Sequence, residues 1–143
     1  MLVMQIFKMK GDRVITVPPD ITIAKAVDVL KRENIGAVVV ADDDGELCGI
    51  LSERAIVRAM SEYGPALFGL NVDALMTSEV ATCSPNDRVL EIMKKMTSGR
   101  FRHMPALDDG KLAGIISIGD VVRSRLEELE AETAQLKDYI ASV

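Results

Sequence analysis

A chain of 143 residues with 48% hydrophobic and 27% charged side chains is long enough for one compact unit or two small fused halves, and it is not compositionally disordered. Seventeen Lys and Arg against 22 Asp and Glu leave a net charge of −5, the wrong sign for a sequence-independent grip on nucleic acid. Two cysteines and one histidine, far apart in the chain, offer neither a disulfide framework nor a metal-ligand spacing, so no metal is expected. No stretch approaches the ~20 apolar residues of a membrane span. The apolar run Met1 to Phe7 precedes Lys8 and Lys10, the reverse of a secretory leader, and a cytoplasmic setting is expected.

In chain order, a short extended piece from Val14 to Val17 runs into a proline turn. Ile23, Ala26, Val27 and Leu30 then recur at helical spacing. The continuous apolar run Ala37 to Ala41 predicts a strand covered on both faces. An Asp and Gly turn, Asp42 to Gly45, leads to a second strand, Cys48 to Leu51, and Ser52 stands where a second helix begins. A linker from Tyr63 to Ser78 carries a helical turn near Asp73 to Met76. The series then recurs: Val80 to Cys83 extended, a helix through Val89, Ile92, Met93 and Met96, strands Met104 to Leu107 and Ala113 to Ile116, and a helix opening at Ser117.

The recurrence is a duplication. A displacement of 66 positions sets Val14 on Val80, Thr16 on Thr82 and Pro19 on Pro85. After one deletion opposite Asp44 the displacement is 65, and Gly45, Gly49, Ser52 and Arg58 fall on Gly110, Gly114, Ser117 and Arg123. The expected fold is α/β (α+β): two β-α-β-β-α halves packed sheet to sheet about a pseudo-twofold axis, leaving two related clefts. Residues 1–62 form the first half, 63–78 the linker, 79–125 the second half and 126–143 a C-terminal amphipathic helix.

Two groups of residues carry chemistry. Ser117 and Asp120 have the spacing of a capping box, and the same geometry aims a carboxylate into a cleft, where it can accept from both hydroxyls of a ribose. Arg100, Arg102 and His103 crowd the entrance to a strand in an acidic protein, while the matching first-half positions of Arg102 and His103 are Gly36 and Ala37. Cationic groups at a cleft lip, with the bidentate fork of arginine, suit a phosphate.

The paired halves, the Gly-x-x-Ser-x-x-Asp run ending at Asp120, and the string Arg102-His103-Met104-Pro105 resemble a tandem cystathionine β-synthase (CBS) domain pair, or Bateman module, from about Val14 to Arg125. The resemblance implies binding of adenine nucleotides or adenosyl compounds (AMP, ADP, ATP, NAD, S-adenosylmethionine) and regulation rather than catalysis. It puts Asp120 on the ribose with Ser117 beside it, and Arg102 and His103 on phosphate. The base would lie near Thr82 and the Ile115 to Ile116 edge, closed by Met104 and Pro105. Arg54 would reach the same phosphates across the pseudo-twofold. Ala55 stands opposite Asp120, so one strong adenosine site is expected.

Leu126, Leu129, Thr133, Leu136, Ile140 and Val143 form a heptad seam in the tail, and a homodimer is expected. A nucleotide sensor acting on a separate regulated protein is the leading reading. A ligand-free dimerisation or interaction module competes with it. An enzyme using Cys83 and His103 as nucleophile and base lacks an orienting partner.

Overall fold

The computed structural model describes residues 1–142. Helix α1 (Val3–Lys10) precedes strand β1 (Thr16–Val17), helix α2 (Ile23–Glu33), strands β2 (Ala37–Ala41) and β3 (Leu47–Ser52), and helix α3 (Glu53–Tyr63). Two 3₁₀ turns, Gly64–Gly69 and Val72–Ala74, lead to helix α4 (Val89–Gly99), strands β4 (His103–Asp108) and β5 (Lys111–Ser117), and helix α5 (Ile118–Ala141). The class is α/β, and the repeated order anticipated from the duplication is present.

In the first half β1 pairs parallel to β2, and β2 pairs antiparallel to β3. In the second, β4 and β5 form the matching hairpin, and the strand expected at Val80 to Cys83 contracts to one parallel bridge between Cys83 and Ala106. Hydrogen bonds from Cys83 N to the Pro105 carbonyl and from Leu107 N to the Cys83 carbonyl keep that residue in register. The Ser84-Pro85 turn begins immediately afterwards and ends the pairing, since proline has no N–H to give.

Each helix that follows a strand starts where a hydroxyl can close its first turn. Thr22 Oγ1 accepts the Lys25 N–H, Ser52 Oγ the Ala55 N–H and Ser117 Oγ the Asp120 N–H. Apolar residues on the inner faces of α2 and α4 then meet the sheets, giving one core around Ile23, Val38, Val40 and Leu51 and another around Ile92, Met96, Met104 and Ile116.

The halves are locked together by exchanging the segments that lead into them. The linker before the second half packs on the first: Leu67 and Val72 are fully buried in its core, and Val72 N and Asp73 N donate to the Ile21 and Pro19 carbonyls. Helix α1, which leads into the first half, packs on the second: Val3, Ile6 and Phe7 lie in that core, and Val3 N and Met4 N donate to the Asp87 and Pro85 carbonyls. Residues 1–10, placed with the first half by chain order, are therefore structurally part of the second. A helix of eight residues has little stability alone. Burial of Ile6 and Phe7, about 1.5–3 kcal/mol each, holds it.

Two glycines record the exchange. A Cβ on Gly114 would lie 2.5 Å from the Phe7 ring, and a Cβ on Gly49, its counterpart in β3, would lie 2.8 Å from Met76 Sδ and 2.6 Å from the Thr77 carbonyl oxygen. Phe7 and Met76 thus do the same work on opposite halves.

Helix α5 continues far beyond its last buried residue, Ser124, and the seam residues Leu126, Leu129, Leu136 and Ile140 are exposed. Beyond the contact of Glu128 with the amino terminus of Met1, the seam of the tail does not pack on its own domain. Val143, the last position of the expected seam, lies outside the described residues.

Candidate functional site

Two clefts form where the strand ends of the halves meet. The first, about 480 Å³, is lined by Ile50, Ser52, Arg54, Ala55 and Arg58 from β3 and α3, by Thr77 and 79–81 from the linker and its continuation, and by 99–103 from the α4–β4 connection. The second, about 290 Å³, is lined by Lys10, Arg13, Ile15 and 34–37 together with His103, Ile115 and Ser117. They are pseudo-twofold counterparts: the first has Ala55 in its lining, and the second has Asp120, the counterpart of Ala55, behind its wall.

The larger cleft collects four guanidiniums, Arg54, Arg58, Arg100 and Arg102, against one carboxylate in its lining, Glu79. Among the described residues none of the four is within 4.0 Å of a carboxylate oxygen. Arg102, then partial desolvation, then Arg58 push Arg54 below the ordinary arginine value, as expected for crowded like charges. Arg100 ends α4 in a left-handed conformation, φ 56°, where its repeat counterpart at the end of α2 is Asn34, φ 54°. Asparagine adopts that conformation readily and arginine at a cost.

Around the smaller cleft the central group is a carboxylate. Asp120 is only 8% exposed, and its Oδ2 accepts the Ser117 N–H at 2.9 Å and the Lys10 Nζ at 2.7 Å. The same ammonium donates to the Ile115 carbonyl at 2.7 Å. Arg123 approaches Oδ1 at 3.6 Å. Lys10 lines both this cleft and a smaller hollow of about 190 Å³ that carries Asp120, so the carboxylate lies behind the ammonium. Burial resists ionisation of Asp120, but hydrogen bonds from Lys10 and Ser117 outweigh it and hold its carboxyl below the ordinary aspartate value.

His103 lines both clefts. This ring lies over Gly36: a Cβ there would be in van der Waals contact, 3.4 Å from His103 Cε1 and Nε2 and from Glu53 Oε1. Desolvation lowers the His103 pKa despite the opposing pull of Glu53 and Asp120, so the imidazole is predominantly neutral at pH 7 and can give a phosphate one N–H rather than a full positive charge.

A family model for the CBS domain matches residues 8–62 and again 72–127. The chain belongs to the CBS domain family. It is 36% identical over 125 residues to the mitochondrial CBS domain-containing protein CBSX3 of Arabidopsis thaliana, covering 85% of this chain but only 61% of that protein's length. The crystal structure of the CBS-domain protein ATU1752 from Agrobacterium tumefaciens superimposes with a TM-score of 0.85 at 45% identity, over 87% of this chain and 92% of that one. The CBS pair of protein MJ0100, whose structure contains 5′-methylthioadenosine and S-adenosyl-L-methionine, superimposes with a TM-score of 0.76 at 26% identity, over 86% and 98%.

Within this CBS pair the residues singled out from sequence do not all converge. Arg102 and Arg54 share the arginine cleft, as the resemblance implied, but with Ala55, not with Asp120. The Arg102 carbonyl accepts the Ile118 N–H at 2.8 Å, so the two backbones adjoin while the Arg102 side chain enters the other cleft. Ser117 and Ile115 line the aspartate cleft. Thr82 lines neither, although its neighbours Val80 and Ala81 line the arginine cleft. Met104 and Ile116 are cross-strand partners, both fully buried in the second core, and Pro105 is buried beside them, so all three support the cleft wall and touch no ligand space. The two-residue period of a strand accounts for it: Ile115 turns to the cleft and Ile116 to the core.

Arg58 and Lys10 escaped the sequence reading, and Arg100, counted in the cationic string, was given no contact of its own. Arg58 sits one helical turn after Arg54, a spacing that puts both on one face of α3. The cap alignment of Arg100 with Asn34 was a usable signal. Lys10 had none, because its place depends on the exchange of leading segments. Burial pushes the Cys83 thiol up to about 11, so it is a packing group, not a nucleophile, at neutral pH. Among the described residues no helix is long and apolar enough to cross a membrane.

Proposed function

We propose that this CBS pair is a regulatory module that binds adenine nucleotides, AMP, ADP, ATP or NAD, at two unequal clefts and passes its ligand state to an effector. The observation that carries the reading is the set of four guanidiniums in one cleft with no carboxylate partner. Holding that much like charge together is unfavourable unless an anion completes it, and phosphate oxygens match the guanidinium fork. The other cleft offers the complementary half of the chemistry: Asp120, locked in orientation by its own capping box, is an acceptor for ribose hydroxyls. The adenosyl ligands in the MJ0100 pair support the ligand class. The exposed seam of α5 supports a homodimer that pairs tail helices, through which rearrangement of the halves reaches a neighbour.

Calorimetric titration of ATP into the wild type and into Arg54→Ala, Arg102→Ala and the double variant tests the phosphate half. Hydrogen bonds to a charged group contribute about 1.5–3 kcal/mol each, so each single change weakens ATP roughly tenfold or more. Undiminished affinity in the double variant overturns the assignment. Asp120→Asn tests the ribose half: it weakens AMP in the double-variant background, where the arginine cleft keeps only Arg58 and Arg100.

A further inference from the structure

Equivalent carbonyls on the two β-hairpins are satisfied in different ways. In the first half the Ile50 carbonyl accepts the Thr77 backbone N–H at 2.9 Å. In the second half its counterpart, the Ile115 carbonyl, is taken by the side chain of Lys10. The segments carrying these donors are the two exchanged leaders, and they differ in length of helix. The linker turn ends at Ala74, whereas α1 runs on to Lys10. The added turn brings an ammonium to the half that has Asp120, and the short leader faces the half that has Ala55. A lysine needed only to fix the leader on its hairpin would serve equally in either half. It occurs where there is a ribose carboxylate for it to cover.

Resting on the reading of Asp120 as the ribose acceptor, we propose that Lys10 is the specificity-determining residue of the aspartate cleft: its ammonium occupies Oδ2, one of the two carboxylate oxygens a ribose needs, and yields it only to a ligand that brings an anion. The pair is partly enclosed, with Lys10 32% and Asp120 9% exposed at their side chains. A neutral nucleoside that reaches Asp120 must break this contact and leave the ammonium without its partner. A nucleotide supplies a phosphate to which the flexible lysine stem swings, so the ion pair is exchanged, not lost. Arg13 and His103 line the same cleft and leave it no carboxylate that could recapture the ammonium. The cleft therefore discriminates phosphorylated from unphosphorylated nucleosides through a residue on the other half's leader.

The test is calorimetry with AMP and adenosine on Arg54→Ala/Arg102→Ala protein carrying Lys10, Lys10→Met or Asp120→Asn. Methionine keeps the length and apolar stem of lysine, and unchanged hydrogen-exchange protection of the α1 amides verifies that the helix stays docked even though the ion pair's contribution to stability is lost. With Lys10 present, AMP is expected to bind at least tenfold more tightly than adenosine. In Lys10→Met, adenosine gains about fivefold or more and AMP loses affinity, so the preference collapses. A preference that survives Lys10→Met, or no adenosine binding by that variant, overturns the proposal. Asp120→Asn keeps the readings apart: loss of AMP affinity sustains the ribose assignment whatever Lys10 does, and unchanged AMP affinity removes that assignment.

Discussion

The two clefts of this CBS pair descend from one repeated unit, and their charged side chains have diverged. The arginine cleft gathers four guanidiniums and has Ala55 where the other repeat has Asp120. The aspartate cleft has kept the carboxylate, and the lysine of a leader helix covers it. Internal symmetry sets where ligands can bind, while the departures from symmetry set what each place accepts. Residues such as Gly36 and Ala37, counterparts of Arg102 and His103, are as informative as the charged groups themselves. His103 from the other half lies over Gly36.

The largest effect expected from disturbing this comparison comes from the glycines beneath the leaders. In Gly49→Ala the new methyl meets the Thr77 carbonyl oxygen, a backbone atom held by the reciprocal hydrogen bonds between Ile50 and Thr77, and nothing there can retreat cheaply. The cost is about 3 kcal/mol, at the upper end for overpacking. In Gly114→Ala the obstacle is the Phe7 ring, which can move with α1, and the cost is about 1–2 kcal/mol. Chemical denaturation of the two variants measures the difference. Equal losses would mean that α1 is as rigidly held as the linker.

Much of this molecule was legible in its sequence, and the limit of legibility has a physical origin. The hairpins, both core helices and the Ser117 cap follow from local periodicity and from hydroxyls beside apolar runs. Their bounds shift by no more than a residue or two, except at Val80 to Cys83, where Pro85 leaves room for a single bridge. The capping box of Ser117 and Asp120 was recognisable because a hydroxyl ends an apolar strand three residues before a carboxylate. The sharing of side chains between clefts was not recognisable. Arg102 and Asp120 belong to one half and their backbones adjoin, yet the direction in which each side chain leaves the sheet decides its cleft. Helix α1 was missed because eight residues make no helix by propensity. Only the second-half core, far along the chain, gives Val3, Ile6 and Phe7 a reason to share a face.

A smaller effect separates the clefts by pH. Asp120 faces Lys10, Arg123 and His103, and Glu127 lines the same hollow. Its folded pKa lies below the unfolded value, so the stability it contributes is fully present above the ordinary aspartate pKa of 3.8 and is lost as pH falls through the depressed value. Glu128 behaves in the same sense, held down chiefly by its hydrogen bond with the amino terminus of Met1, and this contact also ties α1 to α5. Urea midpoints measured from pH 6 to pH 2 are therefore expected to fall less steeply below about pH 4 in Lys10→Met than in the wild type, while the Glu128 contribution is common to both. Superimposable profiles would show that the ammonium does not stabilise the carboxylate in solution.

The smallest effect on stability is the most informative about what the arginine cleft is for. Asn34 and Arg100 close equivalent helices in the same left-handed conformation, and only the first is well suited to it. Nothing in the end of α4 requires an arginine: among the described residues its guanidinium has no carboxylate within 4.0 Å, and a glycine or asparagine would end the helix with less strain. Arg100→Asn should accordingly raise the stability of the free protein by about 0.5–1 kcal/mol, and thermal unfolding without ligand reads this directly. If the strain is kept because the guanidinium serves an anion, the same variant binds ATP several-fold more weakly, and the stability advantage disappears at saturating ligand because binding to the native state counts less for it. A variant that is both more stable and equally good at binding would show that Arg100 has no part in the cleft, leaving Arg54, Arg58 and Arg102 to hold the phosphates.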